Sequence, residues 1–263
     1  MNLLCVQGLS AGYGKAKVLE NLSFSLEPGC LMGILGSNGC GKTTLMKAIC
    51  GILPHEGTCV LEGVALEGLT ARQVAKRISY IPQRSGIGID MTALDVVLMG
   101  FNPRLGLLEQ PTKTMIAEAE AALEQVGLPD MGDNNYLNLS EGQKQLCILA
   151  RTMVSGSRLL LLDEPESALD FRHRYRMLDL VRSWVGKTNG GAVVTLHDPV
   201  LALNRCDRLM VLKDGGILDI LCPRQDPLAK MEQVLGEVYG PVSLHRVKKR
   251  SGAEGLTMLK EEQ

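Results

Sequence analysis

The stretch Leu31-Met32-Gly33-Ile34-Leu35-Gly36-Ser37-Asn38-Gly39-Cys40-Gly41-Lys42-Thr43-Thr44 decides how the chain reads. Its first five residues form a short apolar run of strand length, and Pro28-Gly29 punctuates the segment before it. The run enters a glycine-rich turn, after which Lys42 to Cys50 reads as a helix ending at Gly51. Between strand and helix, Gly36 to Thr43 matches G-x-x-x-x-G-K-[ST] in full. Each residue type there answers a physical need. Glycines let the backbone curl so that successive N–H groups converge on phosphate oxygens. The helix that follows turns its positive end to the same place. Lys42 offers a point charge to the β- and γ-phosphates, and the Thr43 hydroxyl is a ligand for Mg²⁺. The pattern predicts nucleotide phosphate binding.

Further along, four leucines, Leu159 to Leu162, end in Asp163-Glu164-Pro165. A buried central strand that delivers carboxylates at its C-terminal end is where α/β proteins place ligand chemistry. Asp163 is expected to hold Mg²⁺, directly or through water, and Glu164 to accept a proton from water aimed at the γ-phosphate. Two polar residues, Gln83 after Ile81-Pro82 and His197 after Leu196, are expected at the same sheet edge if their strands are parallel.

Around these anchors the pattern alternates. Strands are expected near Asn21–Leu26, Gly57–Leu61 and Ile78–Ile81, with a short helix capped by Thr70 between the last two. The middle is helical: Thr92 with Asp95 to Met99, Thr112 to Val126 closed by Gly127, and a capping box of Ser140 and Gln143 opening a helix through Val154. Alternation then resumes with Leu159–Leu162, a helix around Arg172–Trp184, and Ala192–Leu196. Asp198-Pro199 opens a helix, Arg208–Leu212 and Ile217–Leu221 flank a hairpin, and Asp226-Pro227 is expected to cap a last helix. The tail after about Pro241 shows weak periodicity. The whole predicts an α/β core interrupted by a helical subdomain.

Composition narrows the class. Of 263 residues, 45% are hydrophobic and 22% charged, close to the globular average, which excludes wholesale disorder. Lys+Arg 28 against Asp+Glu 29 leaves a net charge of -1, so no broad basic face for nucleic acid is expected. No apolar stretch reaches the roughly 18 residues a membrane span needs, and Met1 to Val6 lacks the pattern of a secretory signal. The 8 cysteines include no CxxC pair, so the short ligand spacings of zinc sites are missing and buried reduced thiols are expected. Cys40, near a helix N-terminus, is a candidate for a lowered thiol pKa, against the plainer reading of a small filler.

At this point the residues resemble a family. Asn138-Leu139-Ser140-Glu141-Gly142-Gln143 is similar to the signature motif of ATP-binding-cassette ATPases, and lies between the two nucleotide motifs as that family requires. Ser167-Ala168-Leu169-Asp170 resembles its D-loop, Gln83 its Q-loop and His197 its switch histidine. The likeness covers about Asn2 to Arg224, with all six elements in chain order. It implies a P-loop NTPase (RecA-like) core with an N-terminal antiparallel β subdomain and an inserted α-helical subdomain. The expected domain is 1–225, with its core at about 1–83 and 158–225 and its helical subdomain at about 84–157; 226–263 is a C-terminal helix and tail.

The resemblance also implies a head-to-tail homodimer with two ATP molecules at its interface. Tyr13 would stack on adenine, and Gly36, Ser37, Asn38, Gly39, Cys40, Gly41, Lys42, Thr43 and Thr44 would cradle the phosphates. Ser140, Gly142, Gln143 and Asp170 would meet the nucleotide of the other copy. Thr43, Gln83 and Asp163 would serve Mg²⁺, while Glu164, His197 and Gln83 would be catalytic. One departure stands out: the family usually has glycine where this chain has Glu141, near the partner's phosphates. A carboxylate suits the first helical turn, and a solvent-facing one costs little.

Gly86–Leu108 and Asp170-Phe171-Arg172-His173 resemble ATPases of iron-chelate, haem and cobalamin importers. That likeness implies separate integral membrane permease subunits, a substrate-binding protein acting through them, no nucleic acid, and a peripheral place on the cytoplasmic face. Leu94, Val97, Leu98 and Met99 read mainly as helix core, with any exposed members available to a permease helix. Lys248-Lys249-Arg250 reads as a solvated charge run. The competing readings are a soluble non-transport cassette ATPase, favoured by coiled-coil insertions or a tandem cassette that do not occur here, an importer of another substrate, and a P-loop kinase, against which the signature segment argues.

Overall fold

A computed structural model describes residues 2–83, 86–106, 108–167, 169–248, 250 and 252–261. Expectations placed on Met1, Leu107, Ala168 and Lys249 lie outside the described residues. In chain order the elements are β1 (Leu4–Tyr13), β2 (Ala16–Leu26), β3 (Leu31–Gly36), α1 (Lys42–Ile49), β4 (His55–Leu61) and β5 (Val64–Ala65). There follow α2 (Ala71–Ala75), β6 (Ile78–Ile81), α3 (Ala93–Leu98), α4 (Lys113–Val126), α5 (Glu141–Met153), β7 (Leu159–Asp163) and α6 (Phe171–Thr188). The last are β8 (Gly191–Thr195), α7 (Pro199–Arg205), β9 (Arg208–Lys213), β10 (Gly216–Leu221), α8 (Leu228–Tyr239), β11 (Val242–Lys248) and β12 (Glu254–Lys260). Two compact units divide the chain: Met1–Glu67 with Val193–Gln263, and Gly68–Ala192.

In the first unit β2, β1, β4 and β5 form an antiparallel sheet in that order. Its strands alternate buried and exposed residues, as a sheet with one wet face should. β3 pairs parallel with β9, which pairs antiparallel with β10. All six residues of β3 are buried, so its apolar run needs no alternation. The register sets Gly36 opposite Leu212, and the amide of Leu196, just past β8, donates to Ile34 O at 3.1 Å. The phosphate-loop turn and the residue after Leu196 thus leave their strands at the same end.

In the second unit β6 and β7 pair parallel, Ile81 opposite Leu162, and every residue of β7 is buried. The caps expected here all form. Thr70, Thr92 and Ser140 make reciprocal capping boxes with Gln73, Asp95 and Gln143, and Thr112 caps α4. Gly127 ends α4 at φ 85°, with the Arg176 guanidinium lying where a Cβ would stand. Val97 is buried, whereas Leu94, Leu98 and Met99 are half-buried.

One expectation fails. Pro227, not Asp226, is the N-cap of α8; the Asp226 carboxylate instead accepts from Cys222 N at 2.7 Å and braces the preceding turn. The weakly periodic tail forms a hairpin, β11 and β12 pairing in full register from Val242–Lys260 to Lys248–Glu254. Its pattern is weak because only Leu244, Gly255 and Leu256 are buried there. Asn204 of α7 holds it, donating from Nδ2 to Leu256 O at 2.7 Å and accepting from Leu256 N at 3.0 Å.

Among the described residues no helix is long and apolar enough to cross a membrane. Asn204→Ala removes both bonds to Leu256 and is expected to cost about 1–3 kcal/mol. Amide exchange at Leu256 should quicken accordingly, with the exchange of β7 amides unchanged.

Candidate functional site

The phosphate loop is built by its glycines. Gly39 and Gly41 take φ 80° and 107°, and a Cβ on Gly36 would lie 2.6 Å from Leu212 O and 2.5 Å from Cys40 Sγ. Gly41 is the N-cap of α1 without a side-chain cap, so the first amides of that helix remain for an anion. Lys42 is buried, and its ammonium donates to Gly36 O at 2.8 Å and Ser37 O at 3.1 Å. The cation is therefore held by the backbone of the loop it serves.

Cys40 is 6% exposed, and burial pushes its thiol up against the opposing pull of Lys42. The expectation of a lowered pKa is thus corrected: desolvation of the thiolate outweighs the helix end and the cation. Buried Cys30, Cys59 and Cys147 and half-buried Cys50 are all pushed up to about 12, chiefly by desolvation. None of the eight cysteines is in a disulfide.

The same unit carries Tyr13 and His197. Tyr13 ends β1 half-exposed and lines a cavity of about 520 Å³ with Lys15, Lys17, Pro54, His55 and Glu56. His197 is exposed, immediately beyond the Leu196 amide anchored to β3. Tyr239, at the end of α8, has its phenol pushed up to about 12 by burial, with Cys40 and Asp198 in electrostatic range. No sequence signal linked α8 to the loop.

The second unit holds the carboxylates. Asp163 is 1% exposed and accepts a hydrogen bond from Tyr80 Oη at 3.3 Å. Glu164 leaves β7 at φ 50°, a left-handed backbone uncommon outside glycine and often found where a functional side chain is re-aimed. Its carboxylate accepts from the Gln83 amide Nε2, so these two predicted residues meet. Tyr80 was missed; one residue before Ile81 on the strand paired with β7, it is findable only once the register is known.

The signature segment forms as a helix start. Ser140 Oγ accepts from Gln143 N at 3.3 Å, while Gln143 Oε1 accepts from Ser140 N at 2.9 Å. Glu141 points outward and pairs with Lys144 at 2.8 Å, which neutralises the departure from glycine. A Cβ on Gly142 would meet Leu169 Cδ2 at 3.3 Å, so that side chain would have to give by a few tenths of an ångström. Asp170 caps α6, accepting from His173 N at 2.9 Å, with its carboxyl held below the usual range by that amide and the imidazole. Ser140, Gly142, Gln143 and Asp170 line one cavity of about 410 Å³ with His173 and Arg176.

Three comparisons bear on these features. The ABC transporter family model matches residues 19–167. The cobalamin import ATP-binding protein BtuD of Halobacterium salinarum is 32% identical over 84% of this chain and 55% of its own length. A Helicobacter pylori protein named "Probable iron chelatin transport ATP-binding protein" is 36% identical over 90% of this chain and 92% of its own. The chain thus spans about half the length of the first of these relatives and nearly all of the second. A metal-chelate-type ABC transporter in an inward-facing conformation has the same fold, at TM-score 0.83 and 24% identity over 99% of both chains.

Because Cys40 is buried with a raised pKa, iodoacetamide should label it slowly in the native chain, the rate still climbing above pH 9 as thiolate forms. Peptide mass spectrometry reads this. Equal labelling of native and urea-unfolded chain at pH 8 would overturn the account.

Proposed function

The chain belongs to the ABC transporter family, and from that premise we propose that it is the ATP-hydrolysing subunit of an importer for a metal chelate of the iron-siderophore, haem or cobalamin kind. Two copies would sandwich ATP head to tail and drive separate integral membrane permeases from the cytoplasmic face, with a substrate-binding protein acting through those permeases. The names of the relatives and the metal-chelate-type structural neighbour support the substrate class.

The proposed roles follow from the local chemistry. The loop amides of Gly36 to Thr44 and Lys42 Nζ bind the phosphates; in doing so Lys42 exchanges two neutral carbonyls for charged oxygens. Tyr13, half-exposed at its cavity wall, stacks on adenine. Ser140 presents a hydroxyl and helix-start amides to the partner's nucleotide, with Gly142, Gln143 and Asp170 beside it in their shared cavity. Mg²⁺ fits the donor set, since the Thr43 hydroxyl, the Gln83 amide oxygen and the buried Asp163 carboxylate are hard oxygens. When bound it would neutralise charge on the β- and γ-phosphates.

The observation that carries the hydrolytic reading is Glu164, a carboxylate turned out of a buried strand and held by Gln83. We assign it the orientation of water and the acceptance of its proton, with His197 supporting the γ-phosphate. Gln83 then links the base to the helical segments that follow it. ATP binding would close the dimer, Gln83 and those segments would pass the motion to the permeases, and hydrolysis would reopen it. Catalysis here is mostly positioning and charge stabilisation.

Glu164→Gln should bind ATP with unchanged affinity, lose about 10²–10⁴-fold in turnover, and accumulate as an ATP-loaded dimer on size-exclusion chromatography with the permeases present. Undiminished turnover would remove Glu164 as the base. Lys42→Ala should instead lose nucleotide binding itself, measured by equilibrium dialysis with labelled ATP.

A further inference from the structure

His55, Cys59 and Glu67 take part in none of the roles above, yet the antiparallel sheet gathers them. One donor atom from each side chain lies within 4.8 Å of the others. His55 opens β4 and Cys59 follows four residues on, buried at 0% exposure. Glu67 comes from beyond β5, where the hairpin folds back on β4 through the Leu66 N to Cys59 O bond of 2.8 Å. Its Oε1 accepts from Cys59 N at 2.5 Å and stands 3.9 Å from His55 Nε2.

The histidine is already turned for coordination. Its Nδ1 lies 3.1 Å from the Glu56 carbonyl, which can only accept, so Nδ1 is the donating nitrogen and Nε2, facing Glu67, is the one left to a metal. An imidazole whose second nitrogen is engaged by a backbone carbonyl is the usual arrangement behind a metal-ligating histidine. The His55 side chain is only 8% exposed, whereas that of Glu67 is 35% exposed and offers the route of entry.

We propose that His55, Cys59 and Glu67 form a binding site for a borderline-soft divalent transition metal, zinc being the best match. One imidazole, one carboxylate and the Cys59 sulfur, which would release its proton to solvent as the metal binds, with a fourth position left to water, suit Zn²⁺. A thiolate and an imidazole do not suit Mg²⁺ or Ca²⁺, which select oxygen. Zinc needs its donors roughly 3.3–3.7 Å apart, given bond lengths of about 2.0–2.3 Å. Glu67 Oε1 already stands 3.9 Å from His55 Nε2 and no donor pair exceeds 4.8 Å, so side-chain adjustments of about 1 Å would bring the set to that spacing. His55 also lines the cavity that Tyr13 lines, so a bound ion would brace that wall as well as the β4–β5 hairpin. The site stands whether or not nucleotide binds as proposed.

The test uses the full chain, stripped with a chelator and titrated with Zn²⁺ against a chromophoric competitor, then with Co²⁺ as a spectroscopic substitute. One zinc per chain is expected, with affinity at least tenfold weaker in each of H55A, C59S and E67Q. Co²⁺ should give a thiolate charge-transfer band in the wild type that C59S abolishes. E67Q keeps the size and exposure of its side chain, so it reports on coordination even if C59S weakens the fold, and circular dichroism checks each variant. Failure to retain zinc, equal affinity in all three variants, or a thiolate band persisting in C59S would overturn the site.

Discussion

The structure depends first on a backbone contact at Gly36 that no side chain could survive. The parallel register sets Gly36 against Leu212, and an added Cβ would stand 2.6 Å from the Leu212 carbonyl oxygen. That closeness lets β3 run buried to its last residue and then turn at once into the loop. Because the turn is tight, Gly36 O and Ser37 O fall within reach of Lys42 Nζ. A cation that would be costly to bury alone is thereby satisfied by carbonyls of its own loop. The positive φ of Gly39 and Gly41 completes the curl that gathers N–H groups on one side.

A comparable economy governs the carboxylates of the other unit. β7 is apolar and buried up to Leu162, and Asp163 remains buried with Tyr80 as its partner. The chain must change direction to bring the next carboxylate out, and it does so with a left-handed Glu164 rather than a glycine. Such a conformation costs roughly 1–3 kcal/mol and persists only where surroundings over-determine it. Here the surroundings include the Gln83 amide and the turn in which Ser167 N donates to Glu164 O at 3.2 Å. Among the described residues six non-glycine positions take a positive φ, and Glu164 is the one of them with a proposed catalytic role.

The signature segment shows how a departure from a family pattern is absorbed. Glu141 enters the first turn of α5, where the helix dipole welcomes negative charge, and Lys144 one turn on cancels that charge at the surface. The Ser140 hydroxyl and the Gln143 side-chain oxygen meanwhile each accept from the other residue's backbone N–H, which closes the cap. The segment therefore keeps its shape for local reasons, independent of what it meets.

The sequence alone determined what depends on neighbours along the chain. The phosphate loop, the apolar β3 and β7, and the caps at Thr70, Thr92, Thr112 and Ser140 were legible because each arises from residues within a turn or two. Cys40's thiol could not be read that way, since its pKa is set by burial rather than by the nearby helix end and lysine. Nor could the Asn204 clasp on Leu256, the Tyr80 contact with Asp163, or the convergence of His55, Cys59 and Glu67. These bring together residues from separate elements, or donors spread along one strand and a returning hairpin, at spacings no local pattern marks. Only tertiary structure decided them, because strand register, not chain distance, sets which side chains share a few ångströms of space.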